Sequence, residues 1–295
     1  MAAGRAATTT IALPVFNGER FLGDAIDSVL GQTLAPTEFL VFDNASTDLS
    51  RLLATQRLGE DAVRVAPRNA GASWNFTRAV EESTGEYFAW LAADDRFHPR
   101  FLERTTAALD SSPSAAACLC TVEFIDLEGR TVGLQRDPEL ADVRPSVRLR
   151  SFLRRHRWTE SYCLYRREVL LASPMFRGEF AADVILTWWF LLRGPLVVVD
   201  EPLLQYRVYP TKTDEEMADS LTPGARPVSW RKLRLWRALW RETSGPDVDW
   251  MTRRTARGEL LLALTSRAWL DHNLKDLKHV LHHRPRPLRK GAPTS

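Results

Sequence analysis

Two adjacent carboxylates, Asp94 and Asp95, stand near the end of the stretch GEYFAWLAADDRFHP, residues Gly85 to Pro99. Tyr87 to Leu91 is a run of β-formers, so a buried strand is expected to deliver both acids to its carboxyl end. Open α/β sheets keep their ligands there. Hard carboxylate oxygens suit Mg²⁺ or Mn²⁺, and magnesium characteristically takes one or two carboxylates together with the phosphates of its substrate. A plain Asp-Asp turn is the competing use of the same residues. His98, three residues past Asp95, offers a nitrogen ligand or an exposed turn residue before Pro99. Two more acids are set at the ends of apolar runs. Asp43 closes Glu38 to Phe42, and Asp183 directly precedes VILTWWFLL, Val184 to Leu192.

The elements around these acids read as alternating strands and helices. Thr8 to Phe16 is β-branched and apolar and stops at Asn17-Gly18, a turn signal. Phe21, Leu22, Ala25, Ile26, Val29 and Leu30 recur at helical spacing, which predicts an amphipathic helix over Glu19 to Gln32. Glu38 to Phe42 then completes a β-α-β unit. Ala62 to Ala66 is a third strand, followed by Arg68-Asn69-Ala70-Gly71 and a helix from Ala72 to Ser83. Four such steps in the first hundred residues describe half of a doubly wound nucleotide-binding sheet. Neither the G-x-G-x-x-G fingerprint nor the P-loop is present, so a phosphate-bearing ligand is expected to be held mainly through a metal.

Four pieces, in this order and spacing, resemble the inverting glycosyltransferases of family two, which have the GT-A fold. They are PVFNGERFLGDAIDSVLGQT (Pro14 to Thr33), VFDNASTD (Val41 to Asp48), NAGASWNFTRA (Asn69 to Ala79) and GEYFAWLAADD. The resemblance implies a GT-A-like, Rossmann-related α/β fold: a mixed, mostly parallel sheet flanked by helices. It implies a nucleoside diphosphate sugar donor, a UDP-sugar being favoured, lying across the strand ends. Pro14, Phe16, Asn17, Asn69 and Gly71 would then line the nucleotide, and Asp43 would accept a hydrogen bond from the base. Asp95 would ligate Mg²⁺ or Mn²⁺ with Asp94 beside it on the donor. Ala92 departs from the family's acidic motif, where an acid is common. Tyr206-Arg207-Val208-Tyr209 falls where many members have Arg-x-His, so Arg207 would keep the phosphate cation while Tyr209 replaces the histidine, with Lys212 as a substitute. Asp183 takes the position of the family's general base. A carboxylate desolvated beside Trp188 and Trp189 is expected to have a raised pKa and so to be a better base; a helix N-cap is its ordinary alternative use.

Between these motifs, Phe101, Leu102, Thr105 and Leu109 mark a helix ending near Pro113, and Ala116 to Phe124 and Thr131 to Leu134 mark strands. Asp137 to Arg148 lacks periodicity and reads as a loop that orders over the donor. Arg154, Arg155 and Arg157 are candidates for a diphosphate or an anionic acceptor, or form a solvated helix face. YCLY at Tyr162 to Tyr165, with Arg166-Arg167, resembles the strand near the family's acceptor cavity.

The chain divides into a terminus over 1–7 expected to be disordered, a GT-A catalytic domain over 8–213, and a basic Trp/Arg-rich helical tail over 214–295. Within the catalytic domain, 8–98 is the nucleotide-binding half and 99–213 the acceptor half. Charge separates the same way: Lys+Arg against Asp+Glu is 24 and 31 through residue 224, net −7, but 16 and 6 thereafter, net +10. Trp230, Leu233, Trp236, Leu239 and Trp240 share a helical face among arginines, which suits either an anionic membrane surface or packing onto the catalytic domain. Helices are expected near Glu259 to Leu270 and Leu274 to His282. Three cysteines, Cys118, Cys120 and Cys163, form no zinc or disulfide framework, and no stretch is long and apolar enough to span a membrane, so a cytoplasmic, optionally membrane-peripheral enzyme is expected. No nucleic-acid-binding pattern is present. The acceptor class stays open among carbohydrate, lipid-linked and small-molecule hydroxyls. Nucleotidyl transfer lacks its Gly-rich loop, and a non-catalytic nucleotide-sugar-binding or scaffolding subunit is the alternative from a different class.

Overall fold

Thr9–Val15 (β1) is apolar or β-branched at every position and buried throughout, the pattern of a strand covered on both faces. The computed structural model, which describes residues 7–155, 159–176, 181–209 and 231–264, places it between two parallel neighbours, Glu38–Asp43 (β2) and Tyr87–Trp90 (β4). Glu19–Leu30 (α1) returns over the sheet with Leu22, Ala25, Ile26 and Val29 buried. Ser50–Leu58 (α2), which the periodicity did not announce because only Ser50 and Ala54 are buried, leads to the edge strand Val63–Val65 (β3). Ala72–Glu81 (α3) then carries the chain back across β1 to β4. Gly85, just before β4, leaves no room for a side chain: a Cβ there would meet the Thr10 backbone nitrogen at 2.6 Å.

The second half extends the same sheet. Its elements are Arg96–Phe97 (β5), Phe101–Asp110 (α4), Ala117–Ile125 (β6), Thr131–Gln135 (β7), Pro145–Arg155 (α5), Leu164–Arg166 (β8), Arg167–Leu171 (α6), Ala182–Arg193 (α7) and Val197–Arg207 (β9). Among the described residues the strand order is β3-β2-β1-β4-β8-β6-β9-β5, with β7 pairing β6. Strands β8, β5 and β7 run antiparallel to their partners; the others are parallel. This is the mixed, mostly parallel sheet expected of the GT-A class. The expected donor-covering loop over Asp137 to Arg148 is instead built into the body. A 3₁₀ turn at Pro138–Ala141 buries Leu140, and α5 begins at Pro145. Arg148 is buried and donates to the carbonyls of Leu191 and Val143 at 2.8 Å. Proline at the first helical position, misread as a loop residue, is the reason.

Arg231–Glu242 (α8) and Trp250–Leu264 (α9) pack on α7 and α5 and share one apolar cluster with them, to which Ala238, Leu239, Val248, Ala256 and Leu260 belong. The Trp188 indole on α7 donates to the Leu239 carbonyl at 3.0 Å, and Trp236 donates to the Leu260 carbonyl at 3.1 Å. Trp236 and Trp240 stack with centroids 5.0 Å apart. Along this face the described tryptophans are thus turned toward protein, while Arg234 and Arg237 are exposed; the membrane-facing alternative for Trp236 and Trp240 gives way to packing. Helix α9 starts nine residues before the expected Glu259 because Asp249 accepts the Thr252 backbone N–H at 3.0 Å as a cap. Glu259 is buried against Arg150, at 2.7 Å, rather than opening a helix. Trp230, Lys212, Arg157, the Leu274 to His282 helix and the basic end lie outside the described residues.

Because α8 completes the same core as α7, Leu239→Ala is expected to cost about 2–5 kcal/mol and to lower the denaturation midpoint of the whole chain in one transition. Tryptophan fluorescence and far-ultraviolet circular dichroism followed together check this. Two separate transitions, the larger unmoved, would instead mark an independent tail.

Candidate active site

The chain leaves β1 toward β2 and β3 on one side and returns as β4 on the other, so the strand order reverses at β1 and opens a crevice beyond its carboxyl end. Pro14 is buried beside Phe42, whereas Phe16 emerges 45% exposed at the crevice. Asn17 follows in the left-handed region, φ 52°, which asparagine tolerates better than most residues. Its Oδ1 accepts from the Thr47 backbone at 2.8 Å, and its own N–H donates to Ser46 Oγ at 3.0 Å. The loops after β1 and β2 are thereby tied together. Asp43, 1% exposed, closes β2 and accepts the Ser46 N–H on both oxygens at 3.2 and 3.3 Å.

Asn44 is a residue the sequence reading passed over. Its side chain donates to Asn69 Oδ1 at 2.8 Å and to the Gly71 carbonyl at 3.2 Å, and accepts the Ala70 N–H at 3.1 Å. Asn69 Oδ1 also takes the Gly71 N–H at 2.9 Å. Gly71 sits at φ 89° just before α3, a conformation that suits glycine. Asn69 and Gly71 thus form one closed knot with Asn44 beside Asp43. The only sequence signal was that Asn44 and Asn69 each follow a strand end.

The acidic turn is built differently for its two members. Asp95 is 1% exposed, and its Oδ1 accepts the Arg207 backbone N–H at 2.8 Å. Its Oδ2 is buried with no hydrogen-bond partner among the described residues. Burial first, and then the neighbouring Asp94 charge, hold this carboxyl well above the usual carboxylate range, against the pull of Arg207. Asp94 keeps solvent contact and hydrogen-bonds the Tyr209 side chain. Arg207, 3% exposed, lies beneath the turn: Nε donates to the Asp94 carbonyl at 2.9 Å and Nη1 to the carbonyls of Asp126 and Leu127 at 2.9 and 3.2 Å. Its guanidinium stacks over Phe21, 4.0 Å from the ring centre. Arg207, expected as a phosphate cation, also acts as a strut that holds the acidic turn in place. Ala92 leaves the turn without a third acid, and His98 is exposed, its Nδ1 accepting the Arg100 N–H at 3.3 Å.

Asp183 sits in the first turn of α7 but is not its cap; that place belongs to Ala181, at φ 60° and ψ 40°. The carboxylate takes the Val184 N–H on Oδ1 at 2.9 Å. Burial pushes the Asp183 carboxyl up to about 6. Trp188 and Trp189, expected to supply that burial, are engaged elsewhere. Trp188 is bonded to α8, and Trp189 lies under the Arg193 guanidinium at 3.6 Å. Five and six residues on, a helix has turned them away from the Asp183 face. The groups that feel the Asp183 charge are tyrosines: Tyr162, Tyr165 and Tyr206. Tyr162 and Tyr206 feel Asp94 and Asp95 as well. The charge of Asp183 thus reaches the same two phenols as that of the acidic turn. Arg166 and Arg167 point away from it and hold the carbonyls of Ala115 and Val80 at 2.9 and 3.0 Å.

Among the described residues no cluster of three or more His, Cys, Asp or Glu side chains is set to enclose a metal. Two carboxylates with one orphaned, buried oxygen are nonetheless a suitable partial set for Mg²⁺ or Mn²⁺, which complete their shell with water and substrate phosphate.

Known proteins share this fold. The family model for glycosyl transferase family 2 matches residues 10–171. An uncharacterised glycosyltransferase of Nostoc sp. is 28% identical over 205 residues, 66% of this chain and 62% of its own length. One of Escherichia coli K12 is 26% identical over 203 residues, 63% of this chain and 56% of its own. The chain thus spans about three fifths of the length of these relatives. The crystal structure of Staphylococcus aureus TarS 1–349 with UDP superposes with a TM-score of 0.65 at 17% identity, covering 91% of this chain and 75% of that one. Mannosyltransferase PcManGT of Pyrobaculum calidifontis, with GDP-Man and Mn²⁺, gives 0.54 at 14% identity, over 96% and 78%. With more than half the chain inside the family model and a GT-A sheet carrying the matched segments, the protein belongs to glycosyltransferase family 2.

Proposed function

We propose that the enzyme is a metal-dependent inverting transferase that moves one sugar from a nucleoside diphosphate sugar, a UDP-sugar being favoured, to an acceptor hydroxyl. The observation that carries this reading is that the charges of Asp94, Asp95 and Asp183 all reach the same two phenols, Tyr162 and Tyr206, which supports two acidic sites acting on opposite ends of one displacement. Phe16, with Pro14 beneath it, and the loops tied by Asn17, Asn69 and Gly71 form the nucleotide crevice. Asp43 retains lone pairs beyond those bonded to Ser46 and accepts the base N–H. Asp183 Oδ1 is already bonded to Val184, so Oδ2 takes the proton of the acceptor hydroxyl. The hydroxyl oxygen forms its bond to the anomeric carbon as the bond to the phosphate oxygen breaks, and the nucleoside diphosphate leaves with that electron pair. Inversion follows from attack on the face opposite the leaving group.

A divalent ion would be held by Asp95 through Oδ2, with Asp94 beside it, and when bound it supplies Lewis-acid stabilisation to the diphosphate. Arg207 contributes by holding the turn through Nε and Nη1. The acceptor is a carbohydrate, lipid-linked or small-molecule hydroxyl. The structures of TarS with UDP-GlcNAc and of PcManGT with GDP-Man make these two donors natural first assays.

A carboxyl raised to about 6 sets the pH behaviour of the base. The acceptor-dependent rate is expected to rise as pH increases through about 6 and then level off, because only the ionised form accepts a proton. Asp183→Asn is expected to lower kcat by about 10²–10⁴-fold. The sign of the stability effect is opposite. A pKa raised from the ordinary carboxylate range to about 6 means that ionising Asp183 disfavours the fold: the cost is absent below about pH 4, grows to about pH 6 and is complete above it. Asp183→Asn should therefore be more stable than the wild type at pH 8 by about 1–3 kcal/mol, and level with it near pH 4. Paired thermal melts and initial rates check both; unchanged turnover in Asp183→Asn removes the base.

Metal removal gives a separate test. Chelation is expected to weaken UDP binding at least tenfold in calorimetry, with Mn²⁺ restoring it, and Asp95→Asn to abolish that metal dependence. Tight metal-dependent binding with no turnover on any acceptor would favour a binding subunit instead.

A further inference from the structure

Two phenols, Tyr162 and Tyr206, feel the charges of all three acids and are left without a task by the chemistry above. Tyr206 lies on β9 next to Arg207, whose backbone N–H holds Asp95. Its ring meets Tyr162 near edge-on, with centroids 6.0 Å apart and planes at 67°. Phe124, on the neighbouring strand β6, supports Tyr206 from the side at 5.9 Å. Both tyrosines pack against the apolar layer between the sheet and helices α1 and α4, so their rings are held by strand and core instead of by a mobile loop. Each senses Asp94, Asp95 and Asp183 at once.

The hydroxyls are available for a ligand. Neither has a hydrogen-bond partner among the described residues, and neither is among the atoms sealed from solvent. Tyr165, by contrast, is fully buried and donates to the Ser161 carbonyl at 2.6 Å, which makes it structural. Burial pushes both phenols upward in pKa, so at neutral pH each is an O–H that can donate.

In a displacement at an anomeric carbon, the object between the departing diphosphate and the base is the transferred sugar. A sugar ring offers C–H surface and outward hydroxyls, the two features that an aromatic ring with a free O–H recognises. We propose that Tyr162 and Tyr206 form the sugar-recognition wall of the donor site, their rings lining the pyranose and their hydroxyls donating to its hydroxyl oxygens. The pair therefore determines which sugar is accepted, while the crevice at β1 and β2 reads the nucleotide. This rests on the glycosyl-transfer reading, and the test separates the two.

Calorimetry in Mn²⁺ measures Kd for UDP, UDP-GlcNAc, UDP-glucose, UDP-galactose, GDP and GDP-mannose on wild type, Tyr162→Phe and Tyr206→Phe. The informative quantity is the Kd of the best-bound sugar nucleotide divided by that of its own diphosphate. Each Phe variant keeps its ring and is expected to raise this ratio about 5- to 20-fold, with the diphosphate Kd unchanged within about twofold. An unchanged ratio in both variants overturns the proposal, and so does a parallel loss for diphosphate and sugar nucleotide, which would mark packing alone. Wild type that binds no nucleoside diphosphate overturns the glycosyl-transfer reading itself, and this wall with it.

Discussion

The site depends on a single buried contact, that between the Asp95 carboxylate and the backbone of β9 at Arg207. An acid 1% exposed and an arginine 3% exposed are both far from water, and burying charge is tolerable only where each group is bonded. Here the bonds are crossed. The carboxylate of Asp95 takes the backbone of Arg207, while the guanidinium of Arg207 takes the backbone of Asp94. Each residue satisfies the other's chain, so neither can shift without stranding a charge. The next two residues, Arg96 and Phe97, add a short antiparallel pairing with Gln205 and Leu204. The turn after β4 is thus sewn to β9, which also brings Tyr206 and Tyr209 to the same place. Asp95 Oδ2 is left buried and without a hydrogen-bond partner among the described residues. An orphan carboxylate oxygen in an otherwise bonded cluster is where a cation gains most.

The same site stores backbone strain. Asn17, Ala45 and Ala181 all have φ between 52° and 61°, a region that costs a non-glycine residue roughly 1–2 kcal/mol. Asn17 and Ala45 shape the loops after β1 and β2; Ala181 turns the chain into α7 two residues before Asp183. In Ala45 and Ala181 no polar side chain eases the conformation, so the surrounding structure must impose it. Three of the four such non-glycine positions among the described residues, Met175 at φ 47° being the fourth, thus lie beside residues proposed to bind or react.

Much of this architecture was legible because it rests on local patterns. A fully apolar β1, helical spacing in α1, and acids following strands each report on their own neighbourhood, and they placed β1 through β4 within a residue or two. What escaped depends on contacts distant in sequence. Asn44 reads as one more turn residue until Asn69 and Gly71 fold against it. Arg207 reads as a phosphate cation until β9 brings it beneath Asp94, 113 positions earlier. Tyr162 and Tyr206 are 44 positions apart in the chain and meet only through the sheet. Trp188 and Trp189 were assigned to Asp183 by proximity in sequence, which helical geometry does not honour. The helix at Pro145 was hidden because proline breaks a helix interior yet suits its first turn.

The position of Asp183 links the chemistry to the helices at the end of the described chain. Helix α7 is apolar nearly all round, with ten buried residues from Ala182 to Leu192, and such a helix needs cover on every side. The sheet and α5 cover part of it; α8 covers the rest through Trp188, Leu239 and their shared core. Arg193, at its far end, is held to Asp247 at 2.6 Å and over Trp189. A base must lie within a few tenths of an ångström of its proton, and Asp183 is oriented locally by backbone N–H groups of its own helix turn, Val184 among them. Its placement relative to Asp95 is therefore inherited from the packing of α7 as a whole. The helices α8 and α9, which carry none of the proposed chemistry, set that packing and so belong to the catalytic unit.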